Sequence, residues 1–167
     1  PALEAIDVLN VLEQKSVRSM KLESKALRLA GKLLDLCFKD ARVEKSGEEE
    51  AKNILQSGMA LRKFKEIVKA QKGNPNVSSD SLKMKSYSKY IRAAHKGTIK
   101  KINNYHLNSL AKVLGAPNDK MAGIYLLKKL DQTVEKNEPV FIIYSSDQYK
   151  LKEGLETSTF LPIYSLE

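Results

Sequence analysis

The stretch from Ser57 to Asn76 constrains this chain more than any other, because it reads as a helix with both ends marked. Leu61, Phe64, Ile67 and Val68 recur at helical spacing, with Gln71 continuing the line, so one face is apolar. Arg62, Lys63, Lys65 and Lys69 lie mostly off that face. Gly73 stands where a left-handed C-terminal cap is expected, and Pro75 prevents the helix from resuming. Everything before this stretch reads as helical, and everything after it as strands and turns. The expected division is therefore residues 1–80 and residues 81–167.

The N-terminal part opens on Pro1, a residue suited to the first turn of a helix. Ala2, Leu3, Ala5, Ile6, Val8, Leu9, Val11 and Leu12 follow almost without a polar face. A helix so apolar is normally buried between other elements. The expectation is that the chain is a piece of a longer protein whose N-terminal part packs here. After a polar connection at 14–19, a second helix is predicted from Met20 to Phe38. Its inner stripe would be Leu22, Ala26, Leu29, Ala30, Leu33, Leu34 and Cys37. Gly31 in its middle costs about 1 kcal/mol relative to Ala. Close approach of another helix and a tolerated surface position explain that glycine equally well. Ser46-Gly47-Glu48-Glu49 is a capping box that opens a short helix ending near Gly58.

From Ser86 onward the pattern alternates. Tyr87–Ala94 and Thr98–Ile102 read as strands joined by a His95-Lys96-Gly97 turn, which suggests a hairpin. Asn104 is a plausible cap for a helix through Leu107, Leu110, Ala111 and Leu114 that ends at Gly115. Strands are expected at Ile124–Leu130 and Val140–Tyr144, and Asp147 caps a last helix through Leu155. Pro162 confines the tail from Phe160 to Leu166 to an edge strand.

The net charge of +9 raises the question of phosphate-bearing partners. The basic residues are spread along every segment, however, and aromatic residues do not interleave with a basic run. Solvated helix faces account for most of this charge, and nucleic acid is not an expected partner. No apolar run is long enough to cross a bilayer, so no membrane role is expected. The single Cys37 cannot form an internal disulfide, which suits a reducing cytoplasm, and it reads as a small buried hydrophobe.

Several segments then carry a resemblance. They are Pro1-Ala-Leu-Glu-Ala-Ile-Asp-Val-Leu, Lys25-Ala-Leu-Arg-Leu-Ala-Gly, Ser57-Gly-Met-Ala-Leu-Arg-Lys-Phe and Ala70-Gln-Lys-Gly-Asn-Pro-Asn. Leu114-Gly-Ala-Pro-Asn-Asp-Lys-Met-Ala-Gly-Ile-Tyr and Glu138-Pro-Val-Phe-Ile-Ile-Tyr follow in the same order. Together they resemble the C-terminal part of the thymidine phosphorylase family, most closely the branch that includes AMP phosphorylase. The resemblance implies an α+β chain. Residues 1–80 would be the helical end of an α/β catalytic domain, and 81–167 a small α+β domain of the pyrimidine nucleoside phosphorylase type with antiparallel strands.

It also implies a pentosyltransferase as the full-length protein. Such an enzyme converts thymidine and phosphate to thymine and 2-deoxyribose 1-phosphate. In the AMP branch it converts a nucleoside 5′-monophosphate to free base and ribose 1,5-bisphosphate. Inorganic phosphate is a co-substrate and no cofactor is implied. A cytoplasmic homodimer in pyrimidine metabolism is the further implication. The family's phosphate, base and sugar contacts all lie upstream of the position matched by Pro1. No catalytic, cofactor-binding or metal residue is therefore carried over, and this chain alone is expected to be inactive. Nucleoside or nucleotide, and phosphate, would bind through the missing N-terminal part.

The residues themselves offer little chemistry. No Gly-x-x-x-x-Gly-Lys-Ser/Thr or Gly-x-Gly-x-x-Gly loop is present. Cys37, His95 and His106 are too scattered for a metal cluster, and both histidines read as surface residues. Asn118, Asp119 and Lys120 form a polar loop that could hold an anion or could be ordinary loop chemistry. Glu48, Glu49 and Glu50 suit a helix N-terminus, not acid–base work. Two non-catalytic alternatives remain. One is a carrier domain, for which Lys83-Met84-Lys85 comes nearest to a modifiable lysine and Gly97–Ile102 with Thr133–Ile143 supply the rhythm. The other is a basic interaction module for nucleic acid or an acidic partner.

Overall fold

A computed structural model describes residues 1–42, 44–82 and 86–167. The Lys83-Met84-Lys85 candidate of the carrier reading lies outside the described residues. The chain forms two compact units, Glu4–Lys83 and a second made of Pro1–Leu3 with Met84–Glu167. The fold class is α+β with antiparallel strands.

The first unit is helical: it holds α1 (Ala2–Leu12) from Glu4 onward, α2 (Met20–Asp40), α3 (Gly47–Gln56) and α4 (Met59–Ala70). Local capping explains where α2 and α3 start. Ser19 accepts from the Leu22 N–H and Ser46 from the Glu49 N–H, each at 3.4 Å. α2 and α3 pack closely, and Gly31 decides how. A Cβ at Gly31 would stand 2.7 Å from the Glu48 Cα, and one at Gly47 would stand 2.1 Å from the Gly31 carbonyl oxygen. The two backbones therefore touch where side chains are absent. Close helix approach, not surface tolerance, is the reason for Gly31. Asp35 seals the contact by accepting from the Gly47 N–H at 2.7 Å.

Most of the expected inner stripe of α2 does not face this contact. Leu29 and Leu33 are 54% and 66% exposed, and Leu22, Leu36 and Cys37 are exposed as well. The close contact with α3 falls at Gly31, on the less exposed face with Glu23, Leu27 and Phe38, and of the expected stripe only Leu34 shares that face. Glu23 is buried there and pairs with Arg18 at 2.5 Å and Gln14 at 2.9 Å. The Arg18 hydrogen bond, against the opposing effect of burial, holds its carboxyl below the usual value. The end of α4 also differs from expectation. Lys72, not Gly73, takes the left-handed conformation at φ 63°, and the Gly73 N–H closes onto the Val68 carbonyl at 2.8 Å.

The second unit contains β1 (Tyr87–Arg92), β2 (Gly97–Ile102), α5 (Asn104–Val113), β3 (Gly123–Leu126), β4 (Thr133–Val134), β5 (Pro139–Ser145), α6 (Gln148–Phe160) and β6 (Tyr164–Leu166). They form two antiparallel sheets with strand orders β1-β5-β3 and β4-β2-β6. The expected hairpin between β1 and β2 does not form. β1 pairs with β5, β2 pairs with β4 and β6, and the His95-Lys96-Gly97 turn passes the chain from one sheet to the other. β6 is an edge strand as expected, but it spans only Tyr164–Leu166: Phe160 ends α6 and Pro162 lies before the strand.

Both sheets and both helices feed one core. Ile99, Leu110, Leu114, Val134, Phe141, Ile143, Leu151 and Ile163 are buried together. β5 supplies the central strand and reads as an almost unbroken apolar run. Asn103, one residue before the expected cap, accepts from the Tyr105 and His106 N–H groups at 3.1 and 3.2 Å. Asp147 does the same for α6 at 2.7 and 3.3 Å. α6 runs on to Phe160, five residues past the predicted Leu155.

Candidate functional site

The polar loop Asn118–Lys120 is built as a clasp, with its central carboxylate already engaged. Asp119 accepts from the Met121 N–H at 2.9 Å, the Ser146 N–H at 2.9 Å and the Ser146 hydroxyl at 2.7 Å. Burial pushes this carboxyl up, but the hydrogen bonds from Ser146 and Met121 outweigh it and the value falls below normal. Lys120 donates to the Pro117 carbonyl at 3.3 Å. The loop thereby joins the end of α5 to the start of α6. Ser145 completes the join: it is fully buried, donates to the Leu114 carbonyl at 2.8 Å and accepts from the Asp147 N–H at 3.2 Å. Of the Ser145-Ser146-Asp147 run, the sequence singles out Asp147 alone, as a helix cap. The run's wider role depends on Leu114 and Asp119, about thirty residues away, which no local signal reveals.

The two histidines stay apart in role. His106 makes a 2.8 Å hydrogen bond through Nδ1 to the Pro162 carbonyl and so ties α5 to the approach to β6. His95 is exposed at the mouth of a cleft of about 430 Å3 floored by Phe141, Ile163 and Tyr164 and edged by Arg92. Arg92 donates to the Asn137 carbonyl at 2.8 Å. Tyr164 donates to the Lys128 carbonyl at 2.7 Å, and burial pushes its phenol up to about 12, so it acts as a fixed donor and not a base. Cys37 is exposed on α2, contrary to its reading as a buried hydrophobe. Glu48 abuts Gly31 through its backbone, and Glu48, Glu49 and Glu50 lie in the first turn of α3. Among the described residues, no cluster of His, Cys, Asp or Glu could hold a metal ion.

Comparison with known proteins adds what this geometry does not. The family described as pyrimidine nucleoside phosphorylase C-terminal domain matches residues 98–158. That interval runs from β2 to within α6 and takes in the Asp119 clasp. A protein named AMP phosphorylase 2 from Archaeoglobus fulgidus is 36% identical over 158 residues, 95% of this chain and 30% of that protein. An AMP phosphorylase from Methanocaldococcus jannaschii is 38% identical over 161 residues, 96% of this chain and 31% of its own length. A putative thymidine phosphorylase from Bradyrhizobium diazoefficiens is 40% identical over 149 residues, 89% of this chain and 28% of its own.

These matches support a C-terminal part of a thymidine/AMP phosphorylase family protein.

The chain spans about 30% of the length of the curated relatives it matches. The matches run through the helical unit as well as the sheets, since they cover 89–100% of the chain. Among the described residues, no helix is long and apolar enough to cross a membrane.

Proposed function

We propose that this chain is the C-terminal portion of an enzyme that phosphorolyses a nucleoside 5′-monophosphate, AMP being the first candidate. An oxygen of inorganic phosphate forms a bond to the anomeric carbon. The glycosidic C–N bond breaks, and the base leaves with the electron pair and takes up a proton. The products are free base and ribose 1,5-bisphosphate. Such a reaction depends on holding two phosphate groups and on stabilising the leaving base. The observation that carries this reading is the match of nearly the whole chain to proteins named AMP phosphorylase.

On this reading, the groups that bind phosphate, sugar and base lie in the part of the relatives' length outside residues 1–167, and the chain alone is inactive. The exposed leucines of α2 support it, because a row of large apolar side chains is seldom left to solvent. Residues 1–80 then complete an α/β catalytic domain. Residues 81–167 form the separate α+β domain that frames the cleft and supports assembly. The intact protein would be a cytoplasmic homodimer that needs phosphate as co-substrate and no cofactor.

A second reading, thymidine phosphorolysis to thymine and 2-deoxyribose 1-phosphate within pyrimidine metabolism, is favoured by the relative named putative thymidine phosphorylase. One assay separates the two. AMP, CMP, thymidine and uridine are offered with phosphate to this chain and to the longer protein from the same gene, and release of free base is followed. Base released from AMP by the long form only is the expected result. Base released from thymidine alone moves the assignment to the second reading. Turnover by the 167-residue chain itself overturns the placement of the chemistry.

A further inference from the structure

β1 is the edge of its sheet. It pairs with β5 on one side, and among the described residues no backbone bond reaches its other side. α6 runs alongside, and the two enclose an open groove of about 810 Å3. Lys89 stands opposite Ile143, so it shares the core-facing side of the sheet where Leu151 of α6 is buried. The strand wall offers Tyr87 and Lys89, and the helix wall offers Tyr149, Lys152 and Leu155. The charged residues found in this lining are the two lysines, and neither makes an ion pair among the described residues.

An edge strand flanked by a helix groove is the geometry in which an extended peptide adds a strand. The backbone of the edge supplies affinity, and alternate peptide side chains fall into the groove and supply selectivity. We propose that this groove binds an extended acidic segment of a partner protein, which lies beside β1 and sets its carboxylates against Lys89 and Lys152. A second copy of the chain fits less well. Its β1 would bring another Lys89 and Lys152 to the same place, and like charges across a strand pair repel. The inference does not rest on the phosphorolysis reading, since every residue it uses lies between Tyr87 and Leu155.

The test uses the 167-residue chain and a labelled, acetylated peptide of alternating Glu and Val, followed by fluorescence anisotropy. Two further peptides carry N-methyl groups on alternate amides, one in each phase. A Lys–Val peptide is the charge control. The parent peptide should bind, and one methylated phase should lose binding while the other keeps it. Lys152→Glu and Lys89→Glu, both on exposed side chains, should each weaken binding about tenfold. Failure of the parent peptide to bind overturns the proposal. So does equal binding of both methylated peptides or of the Lys–Val control. Sedimentation that shows a dimer abolished by Lys89→Glu but unmoved by the acidic peptide assigns the edge to a second copy and overturns it too.

Discussion

At the residue scale, glycine and aspartate positions carry the sharpest consequences. Gly31 is the point where α2 and α3 meet through backbone atoms, with no flexible side chain to yield. Gly31→Ala is therefore expected to destabilise the chain by about 1–3 kcal/mol, despite the better helix propensity of Ala. Urea denaturation measures this, and an unchanged or raised midpoint would refute the backbone contact. Asp119 supplies the pH dependence. Its carboxyl is held below the ordinary value of 3.8, so its stabilising effect is full above that value and fades as pH falls through the lower folded one. Asp119→Ala should cost about 2 kcal/mol near neutral pH, because the donors of Ser146 and Met121 lose a charged acceptor. That difference should shrink in melts taken progressively into acid, and a gap that stays constant down to strong acid contradicts the role given to the carboxylate. The sequence marked both residues as notable and left the reason open in each case. Gly31 is explained by Glu48 and Asp119 by Ser146, and neither partner can be found by local spacing.

At the element scale, helical periodicity located α2 but assigned its faces wrongly. Leu22, Leu29 and Leu33 form the more regular apolar row, so burial was expected there. The neighbour within this chain, α3, instead approaches at Gly31, on the face with the half-buried Leu27 and Phe38, and Leu34 is the one leucine of the expected stripe that shares it. Periodicity reports that a face is apolar; it does not report which neighbour covers it. This gives a paired prediction. Leu29→Glu with Leu33→Glu should change the stability of the 167-residue chain by no more than about 0.5 kcal/mol, since both side chains are already in solvent. The same pair should also lower light scattering in concentrated samples. In the longer protein it should destabilise markedly if the row is covered there, and indifference in both forms would remove the support it lends to the fragment reading. The β1–β2 error has a similar origin. A good turn signal at His95-Lys96-Gly97 cannot say whether the next strand folds back or crosses to another sheet, and β5, far along the chain, captures β1.

At the scale of the whole molecule, the division into a helical unit and a sheet unit matters for what each can do alone. The core of the sheet unit is drawn from Ala93 to Ile163, and the apolar residues packed against it from Ile91 to Leu166. Its main tertiary bonds, from Ser145 to Leu114, Ser146 to Asp119 and Tyr164 to Lys128, also close within that interval. A segment that buries its own core and closes its main tertiary hydrogen bonds internally meets the physical requirements of an independent domain, although the buried Ser86 Oγ has no partner among the described residues. Residues 86–167 expressed alone should therefore give a dispersed amide spectrum and a single cooperative thermal transition. The helical unit offers a contrast, because α4 has no buried residue and α2 leaves Leu22, Leu29, Leu33 and Leu36 exposed. Residues 4–82 alone should show helical circular dichroism with a broad, weakly cooperative melt. If the sheet unit proves unfolded and the helical unit cooperative, stability flows the other way, and the sheets depend on contacts that the internal core does not account for.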